Sequence, residues 1–183
     1  MALDHEPRQI VSDADVLMNL LASGCLEEIL STLGSTLLVP PTVANETIYL
    51  EEAEEHAGRA PIDLGPLQAA GLVTIPELEP HELDQVVELA ATVDDGEAEV
   101  IALSSERGLT MASDDRKARR VAELRSVTVI TTPELMERWQ SAANVSSARL
   151  SQALRFIERR SRYRPAVNHP LHEWWTEQVR GTP

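Results

Sequence analysis

The sequence predicts an α/β fold. It has three layers, α/β/α, around a central, mainly parallel five-stranded sheet, with a helical extension at the C-terminus. Two observations predict this. Short aliphatic runs alternate with longer amphipathic stretches, the pattern of parallel strands joined by helical crossovers and covered on both faces. Aromatic residues make up only 3% of the chain, so the core must be built from aliphatic side chains and alanine. The three tryptophans, Trp139, Trp174 and Trp175, fall in the last quarter and set that part apart.

Taken in order, Gln9–Asp13 reads as the first strand. Asp15–Leu21 and Gly24–Leu33 read as helices, the second with Leu26, Ile29, Leu30 and Leu33 on one face and Gly34 as its C-cap. Thr36–Val39 is the second strand, ended by Pro40-Pro41, and Pro41 suits a first helical turn. The spacing then predicts a helix from Thr42 to about Ala57, with Val43 and Ile48 inward and Glu51, Glu52, Glu54 and Glu55 outward. Asp63–Ala70 is a short helix closed by Gly71, and Leu72–Ile75 is the third strand. Pro80–Val93 is helical until Asp94-Asp95-Gly96 breaks it. Glu97–Arg107 is the most apolar helix. Leu109–Ser113 is the fourth strand, Asp114–Leu124 a helix, and Val127–Ile130 the fifth strand. Beyond Thr132 the pattern is helical: Pro133–Ala142, Ser146–Arg162 and Leu171–Val179, the last two separated by Pro165 and Pro170. The expected division is a domain over residues 8–132 and a helical extension over residues 133–183, packed on the domain or on a partner.

The formal net charge is −14, with 16 basic against 30 acidic residues. Such a chain is a poor match for coating a phosphate backbone. It is compatible with an enzyme whose acidic pocket carries metal ions, because the ions reverse the local sign. The single cysteine, Cys25, excludes an intrachain disulfide and argues against a zinc–thiolate site. The N-terminus has no apolar signal core, and no run approaches the ~20 apolar residues of a membrane span. A cytoplasmic protein without a membrane partner is expected.

Four acidic positions occupy equivalent places. Asp13 ends the first strand, and Glu46 lies in the helix after the second. Glu97, preceded by Asp95, opens the apolar helix, and Asp115 follows the fourth strand just after Ser113 and Asp114. In a parallel sheet, strand ends and following helix starts share one edge, so residues distant in sequence converge there. Clustered carboxylates are costly unless protonated or bound to cations. Without histidine or cysteine they favour hard ions such as Mg²⁺ or Mn²⁺. Each residue also has a plainer reading. Asp15, Asp95 and Asp114 can cap helices, Asp94 with Glu97 fits a capping-box spacing, and Glu46 can be a surface residue. The plain reading is weakest for Asp13, which ends an apolar run.

The blocks IVSDADVLMNLL, LLVPPTVANETI, DDGEAEVIALSSERGLTMASDDRKARRVA and VTVI resemble PIN-domain proteins in order and spacing. The nearest resemblance is to the bacterial and archaeal branch with an Asp-Gly-Glu-Ala-Glu block followed by Thr/Ser-x-Asp-Arg. It covers about Ile10 to Thr131. The resemblance implies a PIN-like fold and a Mg²⁺- or Mn²⁺-dependent endoribonuclease acting on single-stranded RNA, in many members the toxin of a toxin–antitoxin module. It implies Asp13, Glu46, Glu97 and Asp115 as metal-binding residues, with Ser113 as the accompanying hydroxyl. Asp95 and Glu99 compete with Glu97 for the third role, and Asp114 competes with Asp115 for the fourth. Helical spacing favours Glu97, which shares a face with Ile101 and Ser104. Asp15 departs from the family's usual Ser or Asn and adds a charge beside the metal. The expected partners are single-stranded RNA, an antitoxin protein and a second copy of the chain as a homodimer.

Two other functions are compatible with the residues. Asp13-Ala14-Asp15 gives the D-x-D of a haloacid-dehalogenase-like phosphatase, but Val16-Leu17 replaces the usual Gly-Thr and the sole lysine, Lys117, follows the late acidic pair. A PIN-like fold can also serve as a non-catalytic RNA- or protein-binding scaffold. In the C-terminal segment, Arg149, Arg155, Arg159, Arg160, Arg162 and Arg164 with Phe156 and Tyr163 could contact RNA. The apolar face formed by Leu150, Ala153, Leu154 and Ile157 favours packing instead. His169 and His172 are weak metal candidates, and Trp174 and Trp175 are read as anchors for the tail or a partner.

Overall fold

The computed structural model describes residues 8–46, 49–51 and 59–181. β1 (Arg8–Ser12) leads into α1 (Ala14–Ser23), capped by Asp13 at its start and by Gly24 (φ 71°) at its end. α2 (Leu26–Thr32) and β2 (Ser35–Leu38) follow. Pro40 and Pro41 stop β2 and start α3 (Pro41–Asn45), where a missing amide hydrogen leaves no helical bond unmade. Next come β3 (Tyr49–Glu51), β4 (Arg59–Pro61), α4 (Gly65–Ala69), β5 (Val73–Thr74) and α5 (Pro80–Leu89). α6 (Asp95–Glu106), β6 (Thr110–Ala112), α7 (Arg116–Leu124) and β7 (Val129–Ile130) complete the alternating part. The chain ends in α8 (Thr132–Ala143), α9 (Ser147–Arg160) and α10 (His172–Arg180).

Five strands form one sheet in the order β5-β2-β1-β6-β7, every neighbouring pair parallel. β1 is central, with Ile10 beside Leu37 on one side and Thr110 on the other. The chain first winds outward from β1 through β2, and later resumes on the other side at β6. That reversal of winding opens a crevice at the carboxyl ends of β1 and β6. One face of the sheet carries α1, α2, α8 and α9; the other carries α6, flanked by α5 and α7. α6 is enclosed on most sides, with Ala98 and Val100 to Leu103 all buried, which explains its weak amphipathicity.

The C-terminal helices share the core of the sheet. Trp139 of α8, Leu150, Leu154 and Ile157 of α9, and Trp175 of α10 are fully buried in the same hydrophobic cluster as Val11 and Leu37. Trp175 packs edge-on against Tyr163, with ring centroids 5.8 Å apart, and its indole N–H donates to Glu158 at 3.0 Å. The two histidines are spent locally: His169 Nε2 meets Thr131 Oγ1 at 3.2 Å, and His172 Nδ1 meets the Pro165 carbonyl at 2.9 Å. Among the described residues no helix is long and apolar enough to cross a membrane.

The long helix expected from Thr42 to Ala57 is not formed. α3 ends at Asn45, Glu46 turns to extended backbone (φ −62°, ψ 134°), and residues 49–51 pair antiparallel with 59–61 in a separate hairpin. At residues 49–51 strand preference overrides the helical spacing. The positions read as that helix's inward Ile48 and outward Glu52, Glu54 and Glu55 lie outside the described residues. The helix read from Asp114 begins only at Arg116, because Asp114 and Asp115 are used before it starts.

Candidate active site

Three helices begin at the crevice, and each begins with an aspartate. The Asp13 carboxylate accepts the Val16 amide (2.8 Å) at the start of α1. The Asp94 carboxylate accepts the Glu97 amide (2.8 Å) at the start of α6. The Asp115 carboxylate accepts the Ala118 amide (2.7 Å) at the start of α7. In each, Oδ1 takes the amide and leaves Oδ2 without that helical bond. The partial positive charge of three helix N-termini makes it easier to hold carboxylates together here. The Asp13 backbone amide also donates to the Ala112 carbonyl at 3.1 Å, continuing the β1–β6 ladder by one residue and fixing the two strand ends side by side.

Asp13, Asp15, Glu46, Asp94, Glu97 and Asp115 line one cleft of ≈ 130 Å³, together with Ala14, Val43 and Gly96. Among the described residues no cationic side chain lines it. Glu46 reaches it from the end of α3 through space left by Gly96: a Cβ there would stand 2.9 Å from Glu46 Oε1. The sequence thus places glycine on a helix where it lowers helix propensity but admits a carboxylate. Glu99 lies outside the cleft and does a different job. Its carboxylate takes the Thr42 amide at 2.8 Å and the Thr42 hydroxyl at 2.7 Å, which seats the start of α3, the helix that carries Glu46, against α6.

Burial pushes the Asp13 carboxyl up to about 8. The charges of Asp114 and Asp15 push the same way, while the Ser113 hydroxyl and Val16 amide pull it back. Burial also raises Asp15, Glu46 and Glu97, and each is raised further by neighbouring carboxylates, Asp94 among them in every case. Lys117 acts in the opposite direction on Glu97. Ser113 is wholly buried, and its oxygen accepts the Asp115 amide at 3.2 Å. One hydroxyl therefore bears on both Asp13 and Asp115.

Asp114 points away from this cleft. Its carboxylate accepts from Asn19 Nδ2 (3.0 Å), Thr132 N (3.0 Å), Thr132 Oγ1 (2.6 Å) and the Tyr163 hydroxyl (3.0 Å). It joins α1, α8 and the segment after α9 behind the acidic cleft. Asp95 is exposed at the first position of α6 and does not line the cleft. The cap of the first helix is Asp13 rather than Asp15, and Asp15 faces the cleft from the first turn. Sequence reasoning read Asp94 only as a cap. Its likeness to Asp13 and Asp115, an aspartate just before a helix that follows the sheet's carboxyl edge, was the available signal.

The donor set fits a hard divalent cation, being carboxylate oxygens without histidine or cysteine. Among the described residues no three such side chains stand close enough to hold an ion where they are placed, so binding requires side chains to draw inward. A family model described as a PIN domain matches residues 9–167, from β1 through α9. No curated protein and no solved structure matches the chain significantly.

Proposed function

The chain belongs to the PIN-domain family, whose members are generally nucleases, and on that premise we propose that it is a Mg²⁺- or Mn²⁺-dependent endoribonuclease acting on single-stranded RNA. The observation that carries the proposal is the convergence of six carboxylates, from α1, α3, α6 and α7, on one cleft that no cationic side chain lines among the described residues. Asp13, Glu46, Glu97 and Asp115 would hold the ions, with Asp15 and Asp94 adding negative charge around them. Bound ions would neutralise phosphate oxygens and lower the pKa of an attacking water. The protein's own part is to keep these oxygens in place. The helix amides fix one oxygen of Asp13 and of Asp115, Ser113 ties the two together, Glu99 seats the helix of Glu46, and Gly96 leaves room for it. Ion binding must displace the proton that the buried Asp13 holds near neutral pH, so affinity rises with pH.

The match is to a PIN domain and lends nothing to the D-x-D phosphatase reading. The scaffold reading is separated by experiment. A fluorescent single-stranded RNA is incubated with wild type and Asp13→Asn, with and without Mn²⁺, and thermal unfolding is followed in the same four conditions. Cleavage and a rise in Tm that both need Mn²⁺ and Asp13 are expected. Absence of both in the wild type would leave a non-catalytic scaffold. A toxin role would require a neutralising partner, for which the neighbouring reading frame is the place to look, and light scattering tests the homodimer.

A further inference from the structure

An acidic cleft repels the polyanion it would act on, so the rest of the substrate strand needs a cationic footing nearby. α7 supplies one. It starts at Asp115, the residue that brings it to the cleft, and its sequence is Arg116-Lys117-Ala118-Arg119-Arg120-Val121-Ala122-Glu123-Leu124. Ala118 and Ala122 are fully buried and define the inner face. At ~100° per residue, Arg116, Lys117, Arg120 and Leu124 fall on the opposite face. All four are exposed, Leu124 to 80%.

These cations have nothing to hold, a state they share among the described residues with Arg138 and Arg159 but not with most arginines near the core. With 30 acidic residues against 16 basic ones, a cation should find a carboxylate easily. Arg107, Arg125, Arg149 and Arg164 do so, with Glu82, Glu88, Glu28 and Glu158. Arg155 instead bonds the Val179 carbonyl at 2.8 Å. The side chains of Arg116, Lys117 and Arg120 make no hydrogen bond or ion pair among the described residues. Nevertheless Lys117 is near enough to Glu97 of the cleft to lower its pKa. The cleft and the stripe are thus electrostatically continuous, with carboxylates on one side of Asp115 and free cations on the other.

Resting on the nuclease reading above, we propose that the outer face of α7 is a phosphate track: Arg116, Lys117 and Arg120 bind successive backbone phosphates of the RNA strand beside the one presented to the carboxylate cleft. Arg116 and Arg120 are one turn apart, about 6 Å along the axis, so one extended strand can meet both. The cations contact phosphates and carry no base preference. Leu124 continues the stripe with an apolar surface against which a base can lie. An acidic protein would meet the same cations but would also face the carboxylates of the cleft, whereas a strand of phosphates is drawn to the cations and, through ions, to the carboxylates as well.

The test uses a fluorescent 12-mer oligoribonucleotide and anisotropy, in the Asp13→Asn background so that turnover does not interfere. The R116Q/K117Q/R120Q substitutions are expected to weaken binding about tenfold or more at low salt. They should also reduce the slope of log Kd against log[salt] by about 2, since each single-strand phosphate contact contributes ~0.7. R116K/R120K, which keep the charge, should bind as the parent does. Arg138→Gln, an exposed arginine near Arg8 and Gln9 at the other end of β1, is the control for charge alone. The alternative, that the three cations only offset the charge of the cleft, predicts binding and slope within twofold of that control. That result, or no RNA binding at any salt, overturns the proposal. The two readings fail separately. Manganese-dependent cleavage with an unchanged KM in the stripe variant would retain the nuclease and remove the track. Stripe-dependent RNA binding by a wild type that cleaves nothing would do the reverse.

Discussion

Replacing Gly96 with alanine separates the site from the fold better than removing any ligand. The new Cβ would lie 2.9 Å from Glu46 Oε1, 3.5 Å from Val43 Cγ2 and 3.7 Å from Asp94 Oδ1. The last two are ordinary contacts. The first is not, and the Glu46 oxygen must retreat by about 0.5 Å to reach an ordinary 3.4 Å. Glu46 is exposed and at the end of its helix, so the movement costs the fold little. The backbone gains, because alanine in a helix is favoured over glycine by up to about 1 kcal/mol. For a chain of this size that is a rise in Tm of at most about 2–4 °C. The site is expected to lose, because the methyl takes up space into which Glu46 must draw to share an ion with Asp13. Mn²⁺ affinity should fall by about 10–100-fold, the range found when groups supporting a metal ligand are disturbed. Isothermal titration with Mn²⁺ and RNA cleavage are measured beside thermal unfolding in EDTA. Glu46→Gln should give a similar loss, and the double variant should lose little more, since both changes act on one carboxylate. A Gly96→Ala protein with wild-type Mn²⁺ affinity and activity would refute the role given to Glu46.

Other consequences concern charge and the C-terminal anchor. Without divalent ions the protein should be less stable at pH 8 than at pH 5. Asp13 keeps its proton in the fold up to about 8, against an ordinary 3.8, so the unfolded chain releases it first and stability drains away as pH rises through that window. Asp15, Glu46, Glu97 and Asp114 shift the same way, and among the described residues His169, lowered by burial, opposes them in that range. Urea denaturation in EDTA from pH 5 to pH 8 checks the sign, and a steady rise in stability would contradict it. Tyr163→Phe removes a hydrogen bond to the buried Asp114 carboxylate and should cost about 1.5–3 kcal/mol in urea unfolding, with no effect expected if the segment after α9 were only loosely attached. Trp175→Ala should cost about 3–5 kcal/mol by the same measurement, because the ring is fully buried.

The sequence by itself determined the alternation of elements and the sheet edge at which the acidic residues gather. Apolar runs such as Ile10-Val11 and Leu37-Leu38 between turn signals suit inner strands, and an aspartate at the end of such a strand emerges at the sheet's carboxyl edge. Periodicity also identified α1, α2 and α9 to within a few residues, because each has one buried face, and α6 was identified by its largely apolar sequence. It failed between Thr42 and Ala57, where carboxylates at helical spacing suggested one long helix. The chain there instead turns extended at Glu46 and pairs as a hairpin, which depends on partners that lie elsewhere in the sequence. The tertiary structure alone decided among adjacent carboxylates. Asp114 and Asp115 are chemically equivalent in a string of letters. Asn19, Thr132 and Tyr163 draw one of them into the protein, and the Ala118 amide turns the other to the cleft. Glu99 is likewise taken by Thr42, while Glu97 is left facing Asp115. Which way a side chain points is settled by donors brought near through folding, and those donors are up to 95 residues away.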